Sequence, residues 1–194
     1  MTDKTYRTNK TDREKRTDKS SKTHGGYRSL RSFQTATVIY DLTVEFVKRY
    51  VDPRSRTRDQ MIQAARSGRQ NIAEGSQASV TSKKTEIKLV GVARASLEEL
   101  LVDYEDFLRQ RGLRLWAKDS PEAKEARALT YKTDRTYETY LTDRERAANC
   151  LVCLIHQANY LLDRQIAALE EAFLRDGGYT ENLYKRRMLG RGRL

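Results

Sequence analysis

Apolar residues recur every three or four positions through four long stretches of this chain, and this spacing constrains the fold more than any other feature. It corresponds to one face of an α-helix, which turns once in about 3.6 residues. In the first stretch the step runs without interruption through Leu30, Phe33, Thr37, Tyr40, Val44, Val47 and Val51. No stretch has a convincing strand pattern, and the chain contains only two prolines and ten glycines. We therefore predict an all-α protein.

Helix start and stop signals divide the first half of the chain. The first predicted helix ends at Asp52-Pro53, since proline lacks an N–H donor and disfavours helix at the residue before it. The second starts at a capping box headed by Thr57 and is expected to run to Glu74, with Gly75 as its C-terminal cap. These signals predict two helices joined by a short polar loop.

The second half of the chain has similar signals. A third long helix is predicted from Lys83 to Arg111, and Ser120-Pro121 then predicts the start of a short surface helix. A second capping box, headed by Thr142, opens the last long helix, which Gly177-Gly178 ends. We therefore predict an antiparallel up-down four-helix bundle with one extra surface helix.

The signals and the composition divide the chain into five segments. The first 26 residues are almost all Thr, Lys, Arg, Asp and Ser, which bury too little apolar surface to offset chain entropy. The predicted segments are a disordered basic tail (1–26), the core bundle helices (27–112), a connecting segment with the surface helix (113–141), the last bundle helix (142–178) and a loose basic C-terminal tail (179–194).

Positive charge is concentrated in a few places. The 38 Lys and Arg exceed the 27 Asp and Glu, which gives a net charge of +11. Residues 1–26 contribute +4 and residues 185–194 contribute +5, so residues 27–184 carry only +2. Between Lys48 and Arg69, however, seven bases face two acids. Clustered Arg and Lys suit phosphate oxygens, and the open alternative is a solubilising surface with intramolecular ion pairs.

Nucleic-acid contact is predicted for basic side chains in four places: the first loop, the second helix, the start of the third helix and the C-terminal segment. These residues are Arg54, Arg56, Arg58, Arg66, Arg69, Lys83, Lys84, Lys185, Arg186, Arg187, Arg191 and Arg193.

No catalytic or metal site is expected. Cys150, Cys153 and His156 form the only metal-like or redox-like cluster, but zinc prefers four ligands, and the two cysteines are expected to pack in the core. The sequence contains no HExxH, GxSxG or phosphate-binding glycine loop, and no cofactor is expected. An acidic run on the third helix is most simply a solvated face. It contains Glu98, Glu99, Asp103, Glu105 and Asp106.

The chain contains no apolar run near the ~18 residues that a membrane span requires. We expect no membrane contact. The two cysteines do not suggest a disulfide framework, and we therefore expect a cytoplasmic location.

Residues 60–75, with the sequence QMIQAARSGRQNIAEG, resemble the signature of a bacterial four-helix-bundle family. That family includes proteins encoded by intervening sequences in 23S ribosomal RNA genes and the accessory variability determinant of diversity-generating retroelements. Residues 93–100, ARASLEEL, are similar to its motif in the following helix. This chain has Ile62-Gln63 and Arg69 where the family has an Arg-Arg pair and a proline. Contacts between helices are expected for Gln60, Ala64, Ala65, Ser67, Gly68, Asn71, Glu74 and Gly75.

The resemblance implies a ring, often a pentamer, with a positively charged surface, and in the retroelement member a partnership with reverse transcriptase and RNA. Our leading hypothesis is a homo-oligomer that binds nucleic acid, structured RNA being expected, without catalysis and with little sequence specificity. A second hypothesis is a scaffold for a neighbouring enzyme such as a reverse transcriptase, with no direct nucleic-acid role. A third is an enzyme that uses the acidic face of the third helix.

Overall fold

A computed structural model describes residues 26–129 and 137–191, and every regular element in these ranges is helical. The all-α prediction is therefore confirmed. Six α-helices and two short 3₁₀ turns (Gly26–Ser29 and Tyr137–Thr142) occur in these ranges. The α-helices are α1 (Arg31–Tyr50), α2 (Arg56–Ala78), α3 (Lys83–Gln110), α4 (Pro121–Leu129), α5 (Arg144–Asp176) and α6 (Tyr179–Gly190). The predicted disordered tail, except for Gly26, lies outside the described residues.

The four long helices pack around a shared core. Helix α1 contacts α2 and α5, and α3 contacts the same two helices, while α4 lies against α5. The hydroxyl of Tyr50, at the end of α1, donates to the carbonyl of Leu141 just before α5. Ser32, near the start of α1, donates to Gln165 Oε1 far along α5, at 2.8 Å. No helix in the described part of the chain combines the length and apolar character needed to cross a membrane.

An aromatic group lies at the centre of the core. The ring of Phe46 meets Tyr104 and Phe107 edge-on, with centroids 5.0 and 4.8 Å apart. Tyr104 is fully buried, and its hydroxyl donates to Thr43 Oγ1 at 3.0 Å. Burial raises the pKa of Tyr104 far above its usual range, so the phenol stays protonated and donates this bond at any ordinary pH.

Two helix starts differ from the predicted capping boxes. Ser55, rather than Thr57, caps α2, because the Ser55 backbone is extended and its hydroxyl accepts the N–H of Thr57 at 3.3 Å. Asp143, rather than Thr142, caps α5, and its carboxylate accepts the N–H of Arg146 at 2.8 Å. In both cases the side chain beside the predicted one has the backbone conformation that a cap requires.

The end of α2 was also predicted wrongly. The helix continues through Gly75 to Ala78, so Gly75 is an internal residue and not a C-terminal cap. A Cβ atom at Gly75 would lie 3.3 Å from the carbonyl oxygen of Glu86 in α3. Glycine here lets two helix backbones approach closely, which is a packing role and not a termination signal.

The segment after Gly177-Gly178 was predicted to be loose, but residues 179–190 form α6. Gly177 has a φ of 72°, which lets the chain leave α5 abruptly. The carboxylate of Glu181 accepts the N–H of Gly178 at 3.1 Å and closes the first turn of α6. No residue of α6 is buried.

The connecting segment is held to α5 by polar and small residues. The side chain of Asn149 accepts the N–H of Trp116 at 2.7 Å and donates to the carbonyl of Arg114 at 2.8 Å. Helix α4 spans Pro121–Leu129 and buries Ala123 and Ala126, and its predicted end near residue 132 lies outside the described residues. Residues 130–136 lie outside the described ranges.

We expect Gly68→Ala to destabilise the protein. A Cβ atom at Gly68 would lie 2.7 Å from Cδ2 of Leu97, which is fully buried and has no open space to move into. Overpacking of this kind costs about 1–3 kcal/mol, to be measured by urea unfolding. The matched control is Gly91→Ala in α3, where an added Cβ meets nothing within 4 Å. The control should gain up to about 1 kcal/mol from helix propensity, and equal effects at both sites would contradict the close-packing account.

Candidate nucleic-acid interface

Basic side chains gather where α1 ends and α2 begins, and they continue along α2. We call this set the α1–α2 basic face, and it consists of Lys48, Arg54, Arg56, Arg58, Arg66 and Arg69. Pro53 interrupts the helix after Lys48 and turns the chain. Lys48, Arg54 and Arg56 therefore lie in or near the loop. Arg58 and Arg69 are half-buried, and the other four are exposed.

Most of these cations are not neutralised by a neighbouring carboxylate among the described residues, so their charge is available to a ligand. Among the described residues, no carboxylate forms an ion pair with Arg56, Arg58 or Arg66. Arg54 lies 3.7 Å from the carboxylate of Asp52, but its side chain is 93 % exposed, so water screens the pair. The unpaired guanidinium groups on α2 are thus the strongest candidates for phosphate contacts.

Arg69 is held in place by an aromatic ring that the sequence did not link to it. Its guanidinium carbon lies 4.3 Å from the ring centroid of Tyr40 in α1. Arg58 is eleven residues earlier, about three helical turns, so the two arginines lie on the same side of α2, about 16 Å apart. The sequence predicted Tyr40 only as a position on the apolar face of the first helix, and no local pattern connects it to Arg69.

Lys83 and Lys84 do not join this face. They begin α3, whereas Arg56 begins α2, and the 23 residues of α2 separate these ends by about 34 Å. Lys83 also has a partner within the fold, since its ammonium lies 3.7 Å from the carboxylate of Glu86. Burial raises the pKa of Glu86, and Lys83 opposes that increase. Lys83 therefore compensates a buried acid.

The C-terminal cations form a second group. Lys185, Arg186, Arg187 and Arg191 are all exposed on or just after α6, and Arg193 lies outside the described residues. A hydrogen bond from Arg175, and more weakly the charge of Lys83, holds the pKa of Asp176 below its usual value. The end of α5 lies near the start of α3, because Asn159 pairs with Glu98 and Asp163, later in α5, pairs with Arg94, earlier in α3. The predicted binding residues thus form two separate sets and not one surface.

The family-like motif lies on the side of α2 that meets α3. The hydroxyls of Ser67 and Ser96 hydrogen-bond at 2.9 Å, and Asn71 Nδ2 donates to the carbonyl of Ser67 at 2.9 Å. Ala64, Ala65, Gly68 and Gly75 are buried there. Glu74 is exposed, and no hydrogen bond or ion pair of its side chain occurs among the described residues. These small residues and short polar bonds hold α2 close to α3.

A groove of about 690 Å³ opens beside this contact, and we call it the α2–α3 groove. Its lining consists of Gln60, Gln63, Ala64, Ser67, Ser96, Glu99, Val102 and Asp103. Burial, and then the charges of Asp106 and Glu99, raise the pKa of Asp103. Carboxylates repel phosphate, so this groove is an unsuitable nucleic-acid surface. Helix α2 therefore has a basic side towards α1, and its neutral polar side towards α3 faces the acids of that helix.

The predicted acidic face of α3 is divided between two neighbours. Glu98 accepts a hydrogen bond from Asn159 Nδ2 of α5 at 2.9 Å, whereas Glu99 and Asp103 face α2. Asp106 pairs with Arg109 on the helix surface at 2.7 Å. Glu99, Asp103 and Asp106 thus lie on one side of α3, whereas Glu98 lies on the side towards α5.

The cysteine cluster lies in the core. Cys150 and Cys153 are buried, as predicted, whereas His156 is exposed. Burial raises the pKa of both thiols, which keeps them protonated and unreactive near neutral pH. Within residues 26–129 and 137–191, no three His, Cys, Asp or Glu side chains are grouped so that they could hold a metal ion.

Comparison of the chain with models of known protein families, with curated proteins and with solved structures found no match in any of the three. The family resemblance of residues 60–100 stays a prediction that depends on the sequence motifs. Function is therefore inferred from the surfaces described above.

We expect Lys83→Met to lower the free energy of unfolding at pH 7 by at most about 1 kcal/mol, the range of partly exposed ion pairs. The reason is that Glu86 would lose the cation that opposes its raised pKa. A buried acid with a raised pKa destabilises the fold only once it ionises. The loss should therefore vanish below about pH 4, the unfolded pKa of Glu, and appear as the pH rises through the folded pKa.

Urea unfolding at acid and neutral pH measures this effect, with Lys84→Met as the matched control. Lys84 is the adjacent exposed lysine, and it has no ion pair among the described residues. A loss of the same size at both pH values, or an equal loss for Lys84→Met, would show that Lys83 does not act through Glu86.

Proposed function

We propose that this protein binds nucleic acid, with structured RNA as its ligand, and acts as a non-catalytic accessory protein through the α1–α2 basic face. The observation that carries the proposal is the set of exposed or half-exposed guanidinium groups on α2 that have no carboxylate partner among the described residues, Arg56, Arg58 and Arg66. Guanidinium groups bind phosphate oxygens through two parallel hydrogen bonds, and this favours arginine at such surfaces.

The geometry of α2 supports phosphate contact without reading of bases. Arg58 and Arg69 are held about 16 Å apart on one side of a rigid helix, a distance that about five nucleotide steps of one strand would span. The stacking of Arg69 on Tyr40 orders its guanidinium before a ligand arrives. Contacts to the phosphate backbone position a protein but carry no sequence information, so we propose low sequence specificity.

We further propose that α1, α2, α3 and α5 form an antiparallel four-helix bundle to which α4 is added. The pairing of Tyr50 with Leu141 at one end of α1, and of Ser32 with Gln165 at the other, supports opposite directions for α1 and α5. Ser67 with Ser96, and Gly75 with Glu86, support the same for α2 and α3. The motifs at residues 60–100 support membership of the ribosomal and retroelement bundle family, and with it a cytoplasmic homo-oligomer, a pentamer by resemblance.

The alternative is a scaffold for a neighbouring enzyme, such as a reverse transcriptase, without a direct nucleic-acid role. Exposed apolar side chains on α6 favour it, because Tyr184 and Leu189 have no cover within the described part of the chain. Salt dependence separates the two hypotheses. Phosphate contacts release counterions, so binding through them weakens steeply as salt rises.

The test compares wild-type protein with Arg56→Ala/Arg58→Ala/Arg66→Ala for binding to a structured RNA at several salt concentrations. We expect affinity at low salt to fall at least about tenfold, because three phosphate contacts are lost. The slope of log K against log salt should become shallower by about two to three, at roughly 0.7–0.9 for each contact. Fluorescence anisotropy measures both quantities.

The matched control removes three exposed cations far from this face in sequence, Lys118, Lys124 and Arg164, by the same change to alanine. Equal loss in the control and in the α2 variant would show that net charge alone binds RNA. An affinity of the wild-type protein that is unchanged between low and physiological salt would exclude the nucleic-acid proposal and favour the scaffold.

A further inference from the structure

Helix α6 exposes large apolar side chains that nothing in the described structure covers. Leu183, Tyr184 and Leu189 are 42 %, 63 % and 64 % exposed, and Leu174 just before the turn is 84 % exposed. The helix has no buried residue and shares no extensive contact with another described helix. Isolated helices of about 12 residues are marginal in water, and helices in proteins gain most of their stability by packing. Helix α6 is therefore built to pack on another surface.

The charge of α6 indicates which kind of surface that is. Three consecutive cations, Lys185, Arg186 and Arg187, lie among the apolar residues, and Arg191 follows the helix. Glu181 is the only acid in the helix, and its carboxylate accepts the N–H of Gly178. A surface that matches α6 therefore combines carboxylates with some exposed apolar area. This requirement excludes a nucleic acid as the surface on which the leucines pack.

The α2–α3 groove has both properties. Val102 is 51 % exposed at its edge and lies beside Glu99 and Asp103, with hydroxyl and amide groups on the opposite wall. The groove extends from Gln60 to Ser67 on α2, a length of about 10 Å, or two turns of a docked helix. A positively charged helix that docks there would also place cations beside Asp103, whose pKa is raised by burial and then by the charges of Asp106 and Glu99.

The length of α6 keeps it from filling the groove of its own chain. Later residues of α5 pair with earlier residues of α3, Asn159 with Glu98 and Asp163 with Arg94, so the end of α5 lies near Lys83, at the start of α3. The groove begins at Ser96, thirteen residues and about 20 Å further along α3. Helix α6 has 12 residues and spans about 18 Å, so even if it folded back along α3 it would stop short of Glu99 and Asp103.

We infer that α6 of one copy docks into the α2–α3 groove of a second copy. Lys185 and Arg186, which flank Leu189 on one side of α6, then face Glu99 and Asp103 of the partner copy, and Leu189 covers Val102. Each copy offers one helix and one groove, so the contact is head-to-tail, and rotation that closes on itself gives a ring. This inference does not depend on nucleic-acid binding, which uses the α1–α2 basic face.

The test is a reciprocal charge reversal measured by analytical ultracentrifugation of the full chain. One variant reverses the helix (Lys185→Glu/Arg186→Glu/Arg187→Glu), and another reverses the groove (Glu99→Lys/Asp103→Lys). We expect each alone to raise the dissociation constant of the assembly at least about a hundredfold, because like charges then face each other. The chain with all five reversals should assemble again, and so should a mixture of the two single-surface variants, because the helix of each variant is then complementary to the groove of the other.

Matched controls reverse exposed charges that lie outside both surfaces. These controls are Lys118→Glu/Lys124→Glu/Arg144→Glu for the helix and Asp119→Lys/Glu125→Lys for the groove. Both should assemble like the wild type. Circular dichroism checks that each variant is folded. If the double change in the groove unfolds the protein, the single change Glu99→Lys, at an exposed position, replaces it.

Three outcomes would overturn the inference. They are a wild-type chain that stays monomeric at all concentrations, a helix variant whose mass is unchanged, and a folded five-reversal chain that fails to assemble. A helix variant that keeps its mass but loses RNA affinity would assign α6 to nucleic acid instead. Loss of assembly with unchanged RNA affinity supports the docking contact whether or not the nucleic-acid proposal stands.

Discussion

The close approach of α2 to α3 is the constraint on which the rest of the structure depends. Gly68 lies against Leu97, and Gly75 lies against the backbone of Glu86, so neither position has room for a side chain. The hydroxyl pair Ser67 and Ser96 lies beside Gly68 and satisfies both groups without separating the helices. This contact fixes the rotation of α2, and with it which residues face α1, which face α3 and which face solvent.

A fixed rotation gives α2 two chemically opposite sides. Arg58 and Arg69 point to the α1 side, where Tyr40 supports one of them, while Gln60 and Ser67 line the groove that α3 completes with acids. A basic side and a neutral side that faces acids stay separate only if the helix cannot roll. The small-residue contact supplies that restraint, because rolling α2 would drive Gly68 away and bring a bulkier neighbour against Leu97.

Periodicity predicted the helices and much of the core because burial on a helix repeats with its turn. In α3, Val90, Leu97 and Tyr104 recur every seven residues, which is close to two helical turns, and all three are fully buried. Caps were less predictable, since Ser55 and Thr57 both carry a suitable hydroxyl and only backbone conformation separates them. Gly75 was misassigned because glycine ends helices more often than it admits a neighbouring backbone.

The candidate site was less predictable than the fold because it depends on contacts between residues that are far apart in the sequence. Arg69 and Tyr40 are 29 positions apart, and no local pattern joins them. Lys83 follows the α2 cations closely in sequence, but the full length of α2 carries it to the other end, beside Glu86. The position of an exposed charge depends on the rotation and the length of its helix. Both are set by packing, which the sequence alone does not give.

The burial of both cysteines has a practical consequence for handling the protein. Cys150 and Cys153 lie within the core with raised thiol pKa values, so alkylating reagents reach them slowly while the fold is intact. A single cysteine placed on an exposed residue of α6 or α2 can thus carry a fluorophore or spin label with the two native thiols left in place. The native cysteine pair then reports on unfolding, since alkylating reagents can modify it only when α5 separates from its neighbours.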